Sequence, residues 1–437
     1  MRTKTVLSTW AVLFCAVCLT CSVAADKATP EHVYSFYGES DKDALSYKVG
    51  EKMVFSIKLL DKDKQVGGIR LDWTREGEDG KKESGKAVSS ATEPLIITTS
   101  IDRPGFVRIR VIARDKNGKT FVSPVYRYRG KDGLVCFDGG AGAEVEKLKS
   151  WPEPKDFDAF WARQKAKLAK VPMRADIVPI PTNNANVLCW DVKVDCVGKP
   201  VSGYLCKPKD AKPKSLPARI SFHGAGVRSA SKPIGAGATM IAMDINAHGL
   251  PNGEPAEFYE NLNNTTLNRY GRLNVEQNRD PETCYWNGMV LRLIRALEFL
   301  KSQPEWDGKT LTVTGGSQGG FQSLVAAGLD SDVTNCDKLV PWFCDLSGKV
   351  EQGRLGGSAP AWIEGLGYYD AVNHAKRIKA RVTIVSGAGD YSCAASSQMV
   401  LYNNINAPKR LEFYQGWTHG FRMKNAKMSL LTNEKEK

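Results

Sequence analysis

Between residues 31 and 130 apolar and polar positions alternate in short runs: KMVFSIKLL (52–60), GIRLDWT (68–74), PLIITTS (94–100), FVRIRVIAR (106–114) and FVSPVYRYR (121–129). A period of two puts every second side chain on one face, so each run predicts a strand with one side turned to a core. Turn-rich pieces such as DKDKQVGG and DKNGK separate the runs, and no helical period intervenes. Short strands at this spacing predict an antiparallel β-sandwich of immunoglobulin type over residues 26–130. Asp61-Lys62-Asp63 lacks the ligand spacing of a calcium loop and reads as a hairpin turn.

The pattern then changes. KDGLVCFDGGAGAEVEK (131–147) reads as part of a linker over 131–150. WPEPKDFDAFWARQKAKLAK (151–170) predicts a helix capped by Asp156, with Phe157, Phe160 and Trp161 on one face. VLCWDVKVDC and VSGYLCKP predict a hairpin. Apolar strands follow at 218–224 (ARISFHG), 239–244 (TMIAMD), 310–314 (TLTVT) and 381–387 (RVTIVSG). Helical segments lie between them, the clearest being 282–302, with Tyr285, Met289, Leu293, Leu297 and Leu300 on one stripe. Buried strands alternating with helices imply an α/β class: a mostly parallel sheet with helices on both faces, over residues 151–437.

The first 25 residues form no part of that pattern. Arg2 and Lys4 precede a mostly apolar stretch from Val6 to Thr20, and Ser22-Val23-Ala24-Ala25 supplies small residues for cleavage. This predicts a secretory signal peptide and a secreted or periplasmic protein. The apolar stretch is short for a membrane span, and Cys18-Leu19-Thr20 before Cys21 departs from a lipoprotein signal. Three of the eleven cysteines lie in this leader, and their C-x-x-C spacings are no metal signature there. The other eight are scattered, so their sequence positions fix no disulfide pairing. The formal charge of +13 is spread over dispersed lysines, two of the cations lying in the leader. With no basic helix or aromatic–basic platform, nucleic acid is an unexpected partner.

Chemistry concentrates around TLTVTGGSQGGFQ (310–322). Gly315-Gly316-Ser317-Gln318-Gly319 fits G-x-S-x-G between a predicted strand and a predicted helix. That is the context in which a serine is held exposed on a strained turn, with Gly315 and Gly319 small enough for the tight corner. A serine hydroxyl is a weak nucleophile and needs a base oriented by an acid. Of the five histidines only His374 and His419 follow Ser317. His374 lies in a predicted helix, where an exposed or capping role is expected. His419 follows the strand-like RLEFYQ, and Asp390 lies just past RVTIVSG, where the acid belongs. The oxyanion needs two N–H donors: that of Gln318, after the nucleophile, and that of Ala225 in the strand-end loop SFHGAG (221–226). His223 then reads as structural.

Taken together these residues resemble the acetyl xylan esterases and cephalosporin-C deacetylases of carbohydrate esterase family seven, within the α/β-hydrolase superfamily. The resemblance runs over about 150–422, through DFDAFW, FHGAG, CYWNGMVLRLIRALEFLKSQPEWDG, GGSQGG and GAGDYSCAASSQMVLYNNINAPKRLEFYQGWTHG. It implies an α/β-hydrolase fold, Ser317 as nucleophile, Asp390 as acid, His419 as base, and Ala225 and Gln318 as oxyanion donors. It also implies deacetylation of sugars without a metal or cofactor. Departures are Ala225 where the family usually has Tyr, Asn246-Ala247-His248 where it has Arg-Gly-Gln, and Gly420 where it has Glu. They bear on substrate range and on assembly, and a homo-oligomer stays open.

Trp417, Trp286 and Tyr391 are candidates for stacking on sugar rings, since pyranose faces pack on aromatics. Two rival readings remain compatible with the sequence. One is an oligopeptidase-type serine peptidase, whose N-terminal propeller about 100 residues cannot supply. The other is a carbohydrate-binding protein with a vestigial hydrolase domain.

Overall fold

The structure, a computed structural model, describes residues 31–128, 130–271 and 275–434. The signal-peptide expectation falls on residues 1–25, outside these. The N-terminal region is built of strands β1 (Tyr34–Ser40), β2 (Met53–Asp61), β3 (Lys64–Gln65), β4 (Arg70–Gly77), β5 (Lys82–Val88), β6 (Leu95–Thr99), β7 (Gly105–Arg114), β8 (Val122–Tyr128), β9 (Lys131–Leu134) and β10 (Cys136–Ala143). They form two four-stranded antiparallel sheets, β1-β2-β3 with β6 on β2, and β10-β7-β4-β5, plus the pair β8-β9. Burial alternates residue by residue along β1 and β2, as period-two patterning requires. Lys62 and Asp63 both take positive φ between β2 and β3, the conformation a two-residue hairpin demands.

One expectation is corrected here. Residues 131–134 and 136–143 are strands rather than linker. β10 pairs along its whole length with β7, Cys136 opposite Ile112 and Ala143 opposite Gly105. Its run of Gly and Ala hides the strand from any alternation rule. The small residues are needed because other backbone and side chains come close: a Cβ on Gly140 would lie 2.1 Å from the Val107 carbonyl oxygen.

The rest of the chain forms one ten-stranded sheet, ordered β11-β12-β13-β15-β14-β16-β17-β18-β19-β20. Its strands are β11 (Ala175–Ile180), β12 (Val187–Val194), β13 (Val201–Pro208), β14 (Leu216–Phe222), β15 (Ile241–Ile245), β16 (Trp306–Ser317), β17 (Asn335–Pro341), β18 (Arg381–Gly387), β19 (Lys409–Tyr414) and β20 (Met428–Thr432). The six strands from β15 to β19 run parallel, and the edges are antiparallel. Helices α1 (Phe157–Ala169), α2 (Ala256–Asn264), α3 (Val275–Arg279), α4 (Tyr285–Lys301), α5 (Gln318–Leu329), α6 (Gly348–Gln352), α7 (Ala371–Ala375) and α8 (Ala395–Asn404) connect or cover them. This is an α/β-hydrolase-like architecture, with α5 leaving the central strand β16 at Ser317. Asp156 stands at the N-cap of α1, but its side chain does not cap the helix; its carboxylate is drawn off by the Tyr368 hydroxyl and by Arg163.

One large apolar cluster runs from the N-terminal sheets into the large sheet, with two small ones beside it among the described residues. Phe106 of β7 meets Phe413 of β19 with ring centroids 5.9 Å apart. The buried Glu78 carboxylate accepts the Phe106 and Leu355 N–H groups, each at 3.1 Å.

Candidate active site

Ser317 has φ 57° and ψ −121°, a strained conformation for a residue with a side chain. The strain is imposed by packing. A Cβ on Gly319 would lie 2.0 Å from the Phe222 carbonyl oxygen, and one on Gly315 would lie 2.5 Å from the Gly319 carbonyl carbon. Strand, serine and helix therefore meet at a corner only glycine tolerates. The hydroxyl sits at the N-terminus of α5, where the first N–H groups lack intrahelical partners and the helix dipole is positive. Gln318, first in that helix, is fully buried.

The 221–226 loop, expected to carry the second donor, passes directly over the elbow. A Cβ on Gly224 would be 3.3 Å from the Gly316 carbonyl oxygen. Ala225 follows, exposed. The loop is tied down on both sides. The Tyr270 hydroxyl accepts the Gly226 N–H at 3.1 Å and donates to Gln318 Oε1 at 2.7 Å. Gln322 Nε2 donates to the His223 carbonyl at 3.2 Å. His248 lies 3.1 Å from the Gly226 carbonyl through Nε2 and 2.6 Å from the Tyr285 hydroxyl through Nδ1. Because a carbonyl only accepts, His248 Nε2 carries the proton and Nδ1 accepts from Tyr285. By the same rule His223 donates from Nδ1 to the Gly224 carbonyl and accepts the Ala247 N–H at Nε2, 3.1 Å away. Burial pushes His223 down to about 4 and His248 to about 3, so both are neutral struts. Asn246 and His248, two of the departures from the usual family pattern, thus hold this loop: Asn246 Nδ2 donates to the Arg228 carbonyl at 2.7 Å.

Asp390 follows β18 and is 2% exposed. Its Oδ1 accepts the Ser392 and Cys393 N–H groups at 2.9 and 2.8 Å, a turn that aims Oδ2 at His419 Nδ1, 2.9 Å away. The carboxylate raises the imidazole's proton affinity, first through this hydrogen bond and against desolvation. It also fixes the tautomer with Nδ1–H donating, which leaves Nε2 as the basic nitrogen. Ser317, Asp390 and His419 line one cavity of about 220 Å³, with Trp417 and Arg422. No hydrogen bond joins the Ser317 hydroxyl to His419 among the described residues. A second cavity of about 290 Å³ begins at Pro341 and Trp342. Pro341 is the register partner of Ser317, and the Trp342 N–H donates to the Ser317 carbonyl at 3.0 Å.

Asp390, Cys393 and His419 are the one group of three metal-ligating side chains close enough to share an ion among the described residues, their donor atoms within 4.8 Å. Both Asp390 oxygens are already occupied by N–H donors. The Cys393 thiol is held protonated by burial. The set suits an oriented imidazole better than a cation.

Several expectations change. Trp286 is fully buried, its ring 4.7 Å from Phe343 and 5.9 Å from Phe321, so no sugar reaches it. Tyr391 is covered by the Arg108 guanidinium, 3.7 Å above its ring, and lies outside the cavity wall. Of the three aromatic candidates Trp417 alone lines the cavity; it stacks on Tyr414 at 3.8 Å. His374 is neither exposed nor capping: it is wholly buried in α7, bonded through Nε2 to the Tyr368 carbonyl at 3.0 Å and pushed down to about 3 by burial. Tyr270, Cys393 and Arg422 were not singled out by sequence. Only Cys393 had a signal, its place in the turn after Asp390.

Comparison with known proteins bears on this geometry. The family model described as acetyl xylan esterase (AXE1) matches residues 144–354 and 357–432, beginning just after β10. Acetyl esterase Axe7A of Xylanibacter ruminicola is 29% identical over 343 residues, 75% of this chain and 73% of that protein. Among solved structures, an acetyl xylan esterase from Paenibacillus sp. R4 superposes with a TM-score of 0.53 at 27% identity, covering 63% of this chain and 93% of its own. Acetyl xylan esterase 1 from Thermoanaerobacterium sp. JW/SL YS485 shares the fold, with a TM-score of 0.51, 22% identity and coverage of 64% and 94%.

Proposed function

The chain belongs to the acetyl xylan esterase family and is a carboxylic ester hydrolase, and from that premise we propose that it removes acetyl groups from acetylated saccharides, such as xylan or xylooligosaccharides, through Ser317, Asp390 and His419. The observation that carries the reading is the Asp390–His419 hydrogen bond beside a serine on a strained elbow, all three lining one cavity. His419 Nε2 takes the Ser317 proton as the oxygen attacks the ester carbonyl. Asp390 holds the imidazole's tautomer and supports its charge. The N–H groups of Ala225 and Gln318 stabilise the tetrahedral oxyanion, each worth on the order of 3 kcal/mol. The sugar alcohol leaves with a proton from His419, and water, activated by the same imidazole, releases acetate from the acyl-enzyme.

Trp417 and Arg422 in the cavity wall are the contacts proposed for the saccharide. The protein acts outside the cytoplasm, in keeping with the signal peptide expected over residues 1–25. Among the described residues no helix is long and apolar enough to cross a membrane. We read the two N-terminal sheets as an immunoglobulin-like sandwich; their strand β10 ends at Ala143, just before the family match begins. A fluorophosphonate tests the nucleophile: peptide mapping of the labelled protein should place the adduct on Ser317, and Asp390→Asn should slow labelling. An adduct on another serine overturns the assignment.

A further inference from the structure

The loops that carry Asp390 and His419 both rest on the N-terminal sheets, the first by close packing and a ring contact, the second by hydrogen bonds. β10 runs directly against the acid loop: a Cβ on Gly389 would lie 2.0 Å from the Asp138 carbonyl oxygen. Two residues further the Tyr391 ring lies under Arg108 of β7, 3.7 Å from the guanidinium. That guanidinium is fixed by a two-point ion pair with Asp138, whose Oδ1 is 2.8 Å from Arg108 Nε. On the other loop, the buried Gln415 side chain docks on Gly140 of β10 as a strand would: Nε2 donates to the Gly140 carbonyl, and Oε1 accepts the Gly140 N–H at 3.3 Å. The acid and base loops meet between these anchors, where the Gly389 N–H donates to the Trp417 carbonyl at 3.0 Å.

We propose that Arg108, Asp138 and Gln415 are positioning residues for the hydrolysis, and that the N-terminal sheet is thereby part of the catalytic apparatus rather than a spacer or a separate binding module. The inference rests on the assignment of Asp390 and His419 as acid and base. The physical reason is geometric. A 2.9 Å bond between side chains on two separate loops is held more rigidly when both loops rest on a support beyond their own strands, and β10 touches both. Arg108 reaches the acid loop from β7, 282 positions earlier in the chain than Asp390, and lines no part of the cavity.

Steady-state hydrolysis of 4-nitrophenyl acetate by the full chain tests this, with Arg108→Ala, Arg108→Lys and Ser317→Ala compared well below each variant's unfolding midpoint. Arg108→Ala should lower kcat about tenfold or more with KM within about twofold, the pattern of lost orientation rather than lost binding. Arg108→Lys keeps the charge beside Asp138 but not the flat face on Tyr391, and should fall between wild type and Arg108→Ala. If Arg108→Ala does not fold, Arg108→Lys decides: a threefold or greater loss in kcat at unchanged KM supports the proposal, and wild-type kcat overturns it. Wild-type kcat in Arg108→Ala, with Ser317→Ala inactive, refutes the positioning role alone. A raised KM at unchanged kcat refutes it too, by assigning the strand to binding. Activity retained in Ser317→Ala removes the triad assignment and the proposal with it.

Discussion

The elbow at Ser317 and the acid loop at Asp390 leave the same sheet two strands apart, yet they are held in different ways. The elbow's constraints lie within a few residues and one neighbouring strand. Gly315 and Gly319 close on each other and on Phe222, and α5 departs at once. The acid loop carries its own turn, with Asp390 accepting from Ser392 and Cys393, but its position depends on Asp138 and Arg108, far earlier in the chain. The corner at Ser317 is thus nearly self-contained, whereas the alignment of Asp390 with His419 is a long-range property.

The comparison can be broken at either end. The largest effect short of removing the serine belongs to Asp390→Asn, which should cut kcat about ten-thousandfold with little change in KM, by releasing the tautomer. The carboxylate raises His419's proton affinity. The acid limb of kcat/KM in the wild type should therefore lie above about pH 6.5, and should move to lower pH in the variant. An unmoved limb would detach His419 from Asp390.

Gly319→Ala comes next. Its Cβ meets the Phe222 carbonyl within 2.0 Å, so the elbow must shift, and kcat should fall about a hundredfold in protein that still folds. Near-normal kcat would mean the elbow is looser than its contacts imply. Tyr270→Phe removes the hydroxyl that joins the Gly226 N–H to Gln318 Oε1, and should lower kcat about tenfold by loosening the oxyanion loop. A change confined to KM would place Tyr270 in substrate binding instead.

The smallest effect is on stability. His374 is buried neutral, with a folded-state value depressed to about 3. The unfolded chain takes up its proton near pH 6.5, so this residue's contribution is present above that value and is lost as pH falls toward 3. His374→Gln, which keeps a donor for the Tyr368 carbonyl, should show a shallower loss of stability between pH 6.5 and 4. Equal slopes in urea titrations at those pH values would contradict a buried neutral imidazole.

Much of this was legible in the sequence because it is local. Period-two runs gave the N-terminal strands, apolar runs between helical stripes gave the parallel sheet, and glycine spacing around Ser317 marked the corner. Chain order reduced the histidines after the serine to two, and the geometry separates them: His419 meets Asp390, and His374 is walled in. What stayed hidden depends on distant partners. β10 reads as linker because its glycines answer to neighbouring backbone rather than to burial on one face. Trp286 and Tyr391 look like sugar platforms until Phe343 and Arg108 are seen against their rings. Asn246 and His248, which follow β15, depart from the usual family pattern, yet their bonds to Arg228, Gly226 and Tyr285 tie down the neighbouring 221–226 loop by other means.

The central claim is that Ser317 drives deacetylation of a saccharide ester. Acetate release from acetylated xylooligosaccharides, measured for the wild-type chain beside Ser317→Ala, tests it most directly. The account predicts release by the wild type and about a millionfold less by the variant. Equal release by both would contradict it, as would a wild type that leaves the oligosaccharide acetylated while turning over 4-nitrophenyl acetate.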